Sequence, residues 1–557
     1  MVSLTKKKIK GRTYWYAVES KRVNGKPRVV WQLYLGTAEH VMDVFKGAES
    51  GMPAKLRSFP YGKHAALFDV NESLGFTGVV DEHAKLERLH GLTVGEYMLL
   101  LIMGRCDGPV SKNGMEDWFR NSSMNLLWSF DHSLSSQNFL NHMKRLDEVR
   151  DDVEEDLARI ILGKGIKPSI LLWDRTNYYT FIEHGGKLPR KGHSKHHRND
   201  KNLIDLGLVT GEDGMPFLHT VDEASLPDAK SFPVMLNLLV DRLKKLGLNK
   251  KEIESMSIVF DKGNNSKPNI SAVAGHMHVV GSVQHKQVKD LMDIPLESYE
   301  FLYENAKKHK VYGYRTERSL FGIDAIVVVS YNDGTEKRQR MTYERDRKAA
   351  LEKLSALKTK LESVKKTKGR RPTRSGLERA VNDIIPKRLR AVITYTIAEN
   401  KSVLSGFSLG YAVNEEAESF RRSTFGKTVV FTDNNKLSSK KIVRTYNSKY
   451  VVENNFRWFN DTALLPMKPF FVRNDVPITA HVFLCVTGML FYRYLFWKLK
   501  SFKLSGEQIL KELDGIRIAL ASKGDGKKAE FVFEEMTPLQ ARIFSFLDLG
   551  RFAGKKE

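Results

Sequence analysis

The chain has 557 residues, 41% hydrophobic and 10% aromatic, enough apolar side chains for several packed domains. Ninety Lys and Arg against 66 Asp and Glu leave a net charge of +24, which points to a polyanionic partner, most commonly nucleic acid. Two cysteines far apart, Cys106 and Cys485, exclude a disulfide framework and a thiolate metal centre, and suit a reducing compartment.

Lys6-Lys7-Lys8 leads into polar sequence, so no secretory leader is expected. Tyr14, Tyr16 and Val18 alternate before Asn24-Gly25, and Val29, Trp31, Leu33 and Leu35 alternate after it, which predicts a hairpin. The Lys and Arg residues around it fit either a face laid along DNA or an edge kept soluble by charge. Thr93 and Glu96 form a capping box ahead of an apolar run, and further helices are expected to start near Ser111 and Ser135. Short helices joined by polar turns fit a DNA-binding bundle or a plain scaffold.

From about 165 to 285 strands and helices alternate. Ile170–Trp173, Leu203–Val209, Phe217–Val221 and Ser257–Phe260 are predicted strands, with a turn at Asp213-Gly214 and an amphipathic helix over Phe232–Leu246. Asp174 and Asp261 each directly follow a short apolar run, so each lies at or just past the end of a buried strand, within reach of water and metal. His193, His196 and His197 stand among Lys195 and Arg198 with no acid to complete a metal site, and fit a solvated loop or phosphate contacts. The stretch between Asp261 and the next notable acid is too long for a simple connection and implies an insertion. Its expected strands are Lys310–Arg315, Phe321–Ser330, Arg390–Ile397 and the run around Val429–Thr432, with a helix over Tyr343–Val364. A cationic tract, Lys365 to Arg374, includes Lys368, Arg370 and Arg371 and reads as a DNA-contacting loop or a solvated link.

Beyond it, Tyr446, Lys449, Glu453 and Arg457 fall within about 40° of one another on a helix at ~100° per residue. One carboxylate in a stripe of cations and a phenol suits a phosphate backbone beside a metal ion. His481–Leu499 is apolar but carries Arg493 and Lys498, and reads as a buried helix rather than a membrane span. The tail from Ser505 follows a helix–strand–helix pattern. Trp173 and Trp458 fit packing or a base stack.

These residues carry a resemblance. The chain resembles the DDE transposases of bacterial and archaeal insertion sequences, in the branch marked by Tyr-x2-Arg-x3-Glu-x6-Lys and a β-rich insertion in the catalytic core. The motif reads Tyr446, Lys449, Glu453 and Asn460 here, so Arg has become Lys and the final Lys has become Asn. The first change keeps charge and loses the bidentate fork. Asp174-Arg-Thr176, the loop from Gly192 to Asp200, Asp228-Ala-Lys230, Asp261-Lys-Gly263, Pro469-Phe-Phe and His481 follow in the order the family shows.

The resemblance implies a mixed α/β fold: a ribonuclease-H-like catalytic core interrupted by a β-rich insertion, with an N-terminal β-hairpin plus helical domain. Its parts are a basic hairpin region (1–60), a helical DNA-binding region (61–160), the first core segment (161–290), the insertion (291–435), the second core segment with the Glu helix (436–500) and a C-terminal region (501–557). It also implies Asp174, Asp261 and Glu453 as catalytic, metal-holding acids. Mg2+, with Mn2+ as a substitute, prefers such oxygen ligands and retains water. Two ions ~3.5–4 Å apart would activate the nucleophile and stabilise the leaving oxygen. Tyr446, Lys449, Arg457, Lys195 and Arg198, with Lys368, Arg370 and Arg371, are the expected DNA contacts.

The implied activity is recognition of terminal inverted repeats, then strand cleavage and transfer in cut-and-paste transposition. The implied partners are double-stranded DNA, at transposon ends and target, and a second copy on paired ends. No membrane is expected, and the location is cytoplasmic, with the nucleoid. Two alternatives stand: a weakened or inactive transposase that only binds DNA, and a nuclease of the same core without strand transfer.

Overall fold

A computed structural model describes residues 2–9, 12–23, 26–38, 41–42, 53–85, 91–130, 132–184, 186–224, 228–363, 371–523 and 530–553. The expected Asn24-Gly25 turn, Lys368 and Arg370 lie outside these residues. The chain forms two compact units: 1–73 with 116–133 and 498–557, and 74–115 with 134–497.

In the first unit, β1 (Val2–Ile9), β2 (Arg12–Val23) and β3 (Lys26–Thr37) make an antiparallel sheet in that order. The predicted hairpin is β2 and β3; the lysine-rich segment adds the third strand. A second sheet pairs β4 (Pro53–Pro60) with the strand Arg517–Lys523 and that strand with Glu530–Phe533. Sequence ends thus meet through a sheet. Tyr61 anchors the join: it is fully buried, donates to the Leu549 carbonyl at 2.8 Å and meets the Phe533 ring edge-on.

The second unit begins with helices. Thr93 and Glu96 close a capping box at the start of α1 (Val94–Asp107), and Ser135 caps α2 (Ser136–Gly163) by accepting from the Asn138 N–H. The unit's centre is a nine-stranded mixed sheet. Its strands are β5 (Ile170–Thr180), β6 (Asn202–Gly211), β7 (Pro216–Glu223), β8 (Ser257–Val259), β9 (His278–Val283), β10 (Glu300–Glu304), β11 (Lys310–Leu320), β12 (Ile323–Asn332) and, after the two-stranded pair β13 (Ile393–Glu399) and β14 (Phe407–Val413), β15 (Lys427–Thr432). The order across the sheet is β10-β11-β12-β15-β9-β8-β5-β6-β7. β5, β6 and β7 run antiparallel in sequence, whereas β8 and β9 lie parallel on the other side of β5.

The strands of the expected insertion therefore do two things. β10, β11, β12 and β15 extend the central sheet through the antiparallel β15–β9 pair. Only β13 and β14 stand apart, in a lobe dominated by helices, the longest being α4 below. That lobe has its own small core, in which Leu354, Leu361, Leu377 and Val381 are buried. The expected insertion thus carries six strands, β10 to β15, together with the expected long helix, whose periodicity rests on a few buried leucines with Lys, Arg and Glu covering the rest.

Helices cover both faces of the sheet. α3 (Asp228–Lys245) packs Phe232, Met235, Leu236 and Leu239 into the main core, where Trp173, Ile258 and Phe260 meet it. α4 (Asp333–Glu362) leaves the sheet edge after β12. α5 (Ser439–Asn447) lies against β9 and β15, and α6 (Tyr450–Asn460) against β5 and β6. α7 (Asp475–Lys498) is long and apolar enough to cross a membrane by length and composition, but 83% of its most apolar window is buried within the protein. It is a core helix.

Candidate active site

Two strands bring the aspartates together. β5 and β8 pair in parallel with Leu171 opposite Ile258 and Leu172 opposite Val259. Extending that register by two places sets Asp174 level with Asp261 on neighbouring strands, ~4.8 Å apart at the backbone. Asp261 is still extended, with φ −73° and ψ 149°, and its carbonyl opens a short 3-10 turn. Alternation sends Trp173 and Phe260 to the α3 face, where both rings pack on Phe232. The two aspartates face the other way, toward α6.

Glu453 comes from that helix. The expected unbroken helix from Tyr446 to Arg457 is divided: α5 ends at Asn447 and α6 begins at Tyr450. Ser448 causes the break. Its hydroxyl donates back to the Thr445 carbonyl at 2.6 Å, and the next turn tightens to a Val451 N–H to Ser448 carbonyl bond. Lys449 sits at the junction, and its ammonium is 3.1 Å from Asp261 and 3.4 Å from Glu453.

Charges at the site are mutually dependent. Burial pushes the Asp174 carboxyl up, against the pull of Lys195, the Arg175 N–H and Lys449; with Asp261 adding to the rise, it reaches about 6. Burial also works against ionisation of Asp261, but the hydrogen bond and charge of Lys449 outweigh it and hold the carboxyl below its usual range. Lys449 is pulled down by burial and, more strongly, up by Tyr446, Asp261 and Glu453. Asp174, Asp261, Glu453, Lys449 and Lys195 thus form one electrostatic neighbourhood.

The donor set is oxygen only, which fits a hard divalent cation that keeps water in its shell. Among the described residues no group of three His, Cys, Asp or Glu closes around a single point. Two carboxylates already share one cation, the Lys449 ammonium. Displacing it would leave Asp261 and Glu453 as ligands, with Asp174 beside them.

Other expected residues are placed as follows. Lys195 donates to the Arg175 carbonyl, at the base of the site. Arg198 pairs with Asp200 at 2.8 and 2.9 Å and lies 5.1 Å from the Tyr179 ring centroid. Arg457 is exposed, one turn past Glu453. Tyr446 is buried, and its hydroxyl is bonded to Ser282 at 2.7 Å, so in this structure it packs rather than presents a DNA contact. Arg371 is exposed ahead of the helix Arg374–Ile384. Asn460 turns inward and donates to the Phe456 carbonyl at 2.9 Å. Trp173 and Trp458 are both buried, against Phe232 and against Tyr492 and Phe496, so each packs.

Sequence reasoning missed two features. Arg175 is buried on the opposite face, bonded to Ser231 and paired with Asp205 at 3.0 Å, and it locks β5 to β6 and α3. Lys112 and Arg105 are buried cations near the segment 465–473. Their sequence neighbours give no hint of this, since only the fold brings them together.

A charge held in a costly place has a thermodynamic signature. The folded chain keeps the Asp174 proton up to about pH 6, whereas an unfolded chain releases it near 3.8. Asp174 therefore costs no stability below pH 3.8 and progressively more as pH rises through 6. In chelator, Asp174→Asn is expected to raise unfolding free energy at pH 8 by up to about 3 kcal/mol, with the gain vanishing near pH 4. Denaturant melts across that range check it; a gain independent of pH would refute it.

No protein-family model matches the chain, and no curated protein matches it significantly.

Proposed function

We propose that the protein is a metal-dependent DNA transposase whose central sheet is a ribonuclease-H-like core. The observation that carries this is that Asp261 and Glu453, far apart in the chain, share the Lys449 ammonium, whose charge Asp174 also feels. The strand order supports it: three antiparallel strands, then two parallel ones beyond the first, with the two aspartates side by side. The resemblance set out above supplies the reaction class, and the +24 charge supplies a reason for a nucleic-acid partner.

On this reading, Asp174, Asp261 and Glu453 would hold the metal. Bound divalent ions lower the pKa of an attacking hydroxyl and stabilise the departing alkoxide. The chain's own residues do the rest. Asp174, at about 6, is largely ionised at neutral pH and ready to ligate. The Arg175 N–H donates to its carboxylate at 2.8 Å within β5, and the Lys195 ammonium, bonded to the Arg175 carbonyl, adds a nearby positive charge. Lys449 balances the acids until metal and DNA arrive, then is free to meet a phosphate as an ammonium donor. Arg457, Lys195 and Arg198 supply further cations along the same face. Action on paired ends by two copies, and recognition of terminal inverted repeats, belong to the same proposal.

The test is purified protein with DNA carrying its element's ends and Mg2+, probed for cut and joined products. Cutting with joining supports the proposal. Binding without cutting favours a protein that only binds DNA, a reading that the Lys449 pairing with both acids would then explain. Cutting without joining favours the nuclease.

A further inference from the structure

Away from the acids, a cleft of about 1020 Å³ opens where the far end of β5 meets the segment from Phe459 to Arg473. Lys112, Tyr179, Phe181, Lys468, Phe471 and Arg473 are among its walls. Its chemistry is unusual in one respect. Lys112 is only 6% exposed, yet among the described residues its one hydrogen-bond partner is the Phe471 carbonyl at 3.5 Å. Arg105, also 6% exposed, lies behind the same segment and donates to the Pro466 and Pro469 carbonyls at 3.3 and 3.4 Å. Neither cation has an ion pair among the described residues. Buried cations are ordinarily paired with anions. Glu183, the one carboxylate among the described lining residues, pairs with neither. Burial and Arg105 push Lys112 down to about 7, and an anion beside it would favour its charged form.

Aromatic rings complete the cleft. Phe181 is 67% exposed and Phe471 44% exposed, both large apolar surfaces left open at its walls. Phe471 also holds a left-handed backbone, with φ of 52°, a conformation costly to a residue with a side chain and concentrated at functional sites. A cationic path links the cleft to the acids. Lys468 stands 3.9 Å over the Tyr179 ring, Arg198 shares that ring, and Lys195 lies beyond at Asp174. Along β5 the distance from Asp174 to the cleft is about 20 Å, roughly six nucleotides at duplex rise.

We propose that this cleft binds single-stranded DNA, seating a phosphate on Lys112 and Lys468 and a base on the faces of Phe181 and Phe471. A duplex keeps its bases stacked inside, whereas an unpaired strand offers a phosphate and a free base together, the combination these walls match. The inference rests on the nucleic-acid reading above but not on the metal chemistry, so its test is made in chelator.

The full-length protein is titrated by fluorescence anisotropy into a labelled thymidine oligonucleotide of about ten nucleotides and, separately, a blunt duplex. Lys112→Met and Phe471→Ala are each expected to weaken oligonucleotide binding about tenfold or more, the scale of one lost stacking or phosphate contact, with duplex binding changed less than about twofold. Thymidine monophosphate should displace the oligonucleotide at lower concentration than inorganic phosphate. Phe471→Ala removes an exposed ring, so it reports even if the change at Lys112 perturbs folding. Unchanged oligonucleotide binding in the Phe471 variant, or equal losses on both DNAs, overturns the proposal. Equal competition by inorganic phosphate overturns the base contact. Absence of Mg2+-dependent cleavage would overturn the transposase reading and leave this result standing.

Discussion

Replacing Asp174, Asp261 or Glu453 by Ala is expected to reduce Mg2+-dependent cleavage at least about a thousandfold, because a catalytic ion contributes several kcal/mol of transition-state stabilisation. DNA binding should be largely kept, since none of the three acids attracts phosphate. The three variants should differ in stability in an informative way. Asp174→Ala removes a charge that burial disfavours and trades it against a small cavity. Asp261→Ala and Glu453→Ala instead each strip Lys449 of one of its two carboxylates. They should leave stability nearly unchanged, because both acids are about half exposed and exposed ion pairs contribute little. Gel assays of nicked product on end-bearing DNA, with thermal melts of the same preparations, check both halves. Cleavage within tenfold of wild type in any one variant would remove that acid from the mechanism.

Salt should act on binding with comparable force. If the cations along this face meet six to ten phosphates, raising salt from about 50 to 200 mM should weaken DNA binding by about 10³–10⁵-fold through counterion release. The protein's +24 charge makes a steep slope the expected result. Equilibrium binding at several salt concentrations, plotted as log affinity against log salt, reads the number of contacts directly. Removing Arg457 or Lys195 should make the slope shallower by about one. A slope near zero would mean that the positive surface does not meet the backbone at all.

How much of this was legible in the sequence depended on how local each cause was. Apolar runs placed β5, β6, β7 and β8, because a buried strand must be apolar wherever it pairs. Their ends were not legible. β5 continues through Tyr178, Tyr179 and Thr180 because β6 pairs with it over its whole length, from Leu171 opposite Gly211 to Thr180 opposite Asn202. β9 was passed over, and so was its pairing with β15, since Val280 opposite Thr432 is a contact that no short window contains. β1 was hidden by Lys6, Lys7 and Lys8, whose charges mask the alternation a short strand shows. α4 starts ten residues before the expected Tyr343, at Asp333, because its first turns are exposed and show no apolar period; Asn332 caps them by accepting from the Thr335 N–H.

The acids themselves were legible as candidates from their neighbours, but not their relation to Lys449. Helical spacing put Lys449 and Glu453 on one face, and only the parallel pairing of β5 with β8 brings Asp261 to the same ammonium. Tyr446 illustrates the opposite case. Its spacing matched the stripe, yet Ser282 on β9 claims its hydroxyl, and that residue arrives from a strand that periodicity did not reveal.

Divalent-cation binding is the property on which the whole reading depends, and it can be counted without DNA ends or an element in hand. Loss of the free Mn2+ resonance on adding protein reports bound ions directly. Wild-type protein should take up Mn2+ that Mg2+ displaces, while the Asp261→Asn, Glu453→Gln double variant should leave the signal of free Mn2+ intact. Equal uptake by both proteins, or none by wild type in the presence of DNA, would contradict a cation seat between these carboxylates.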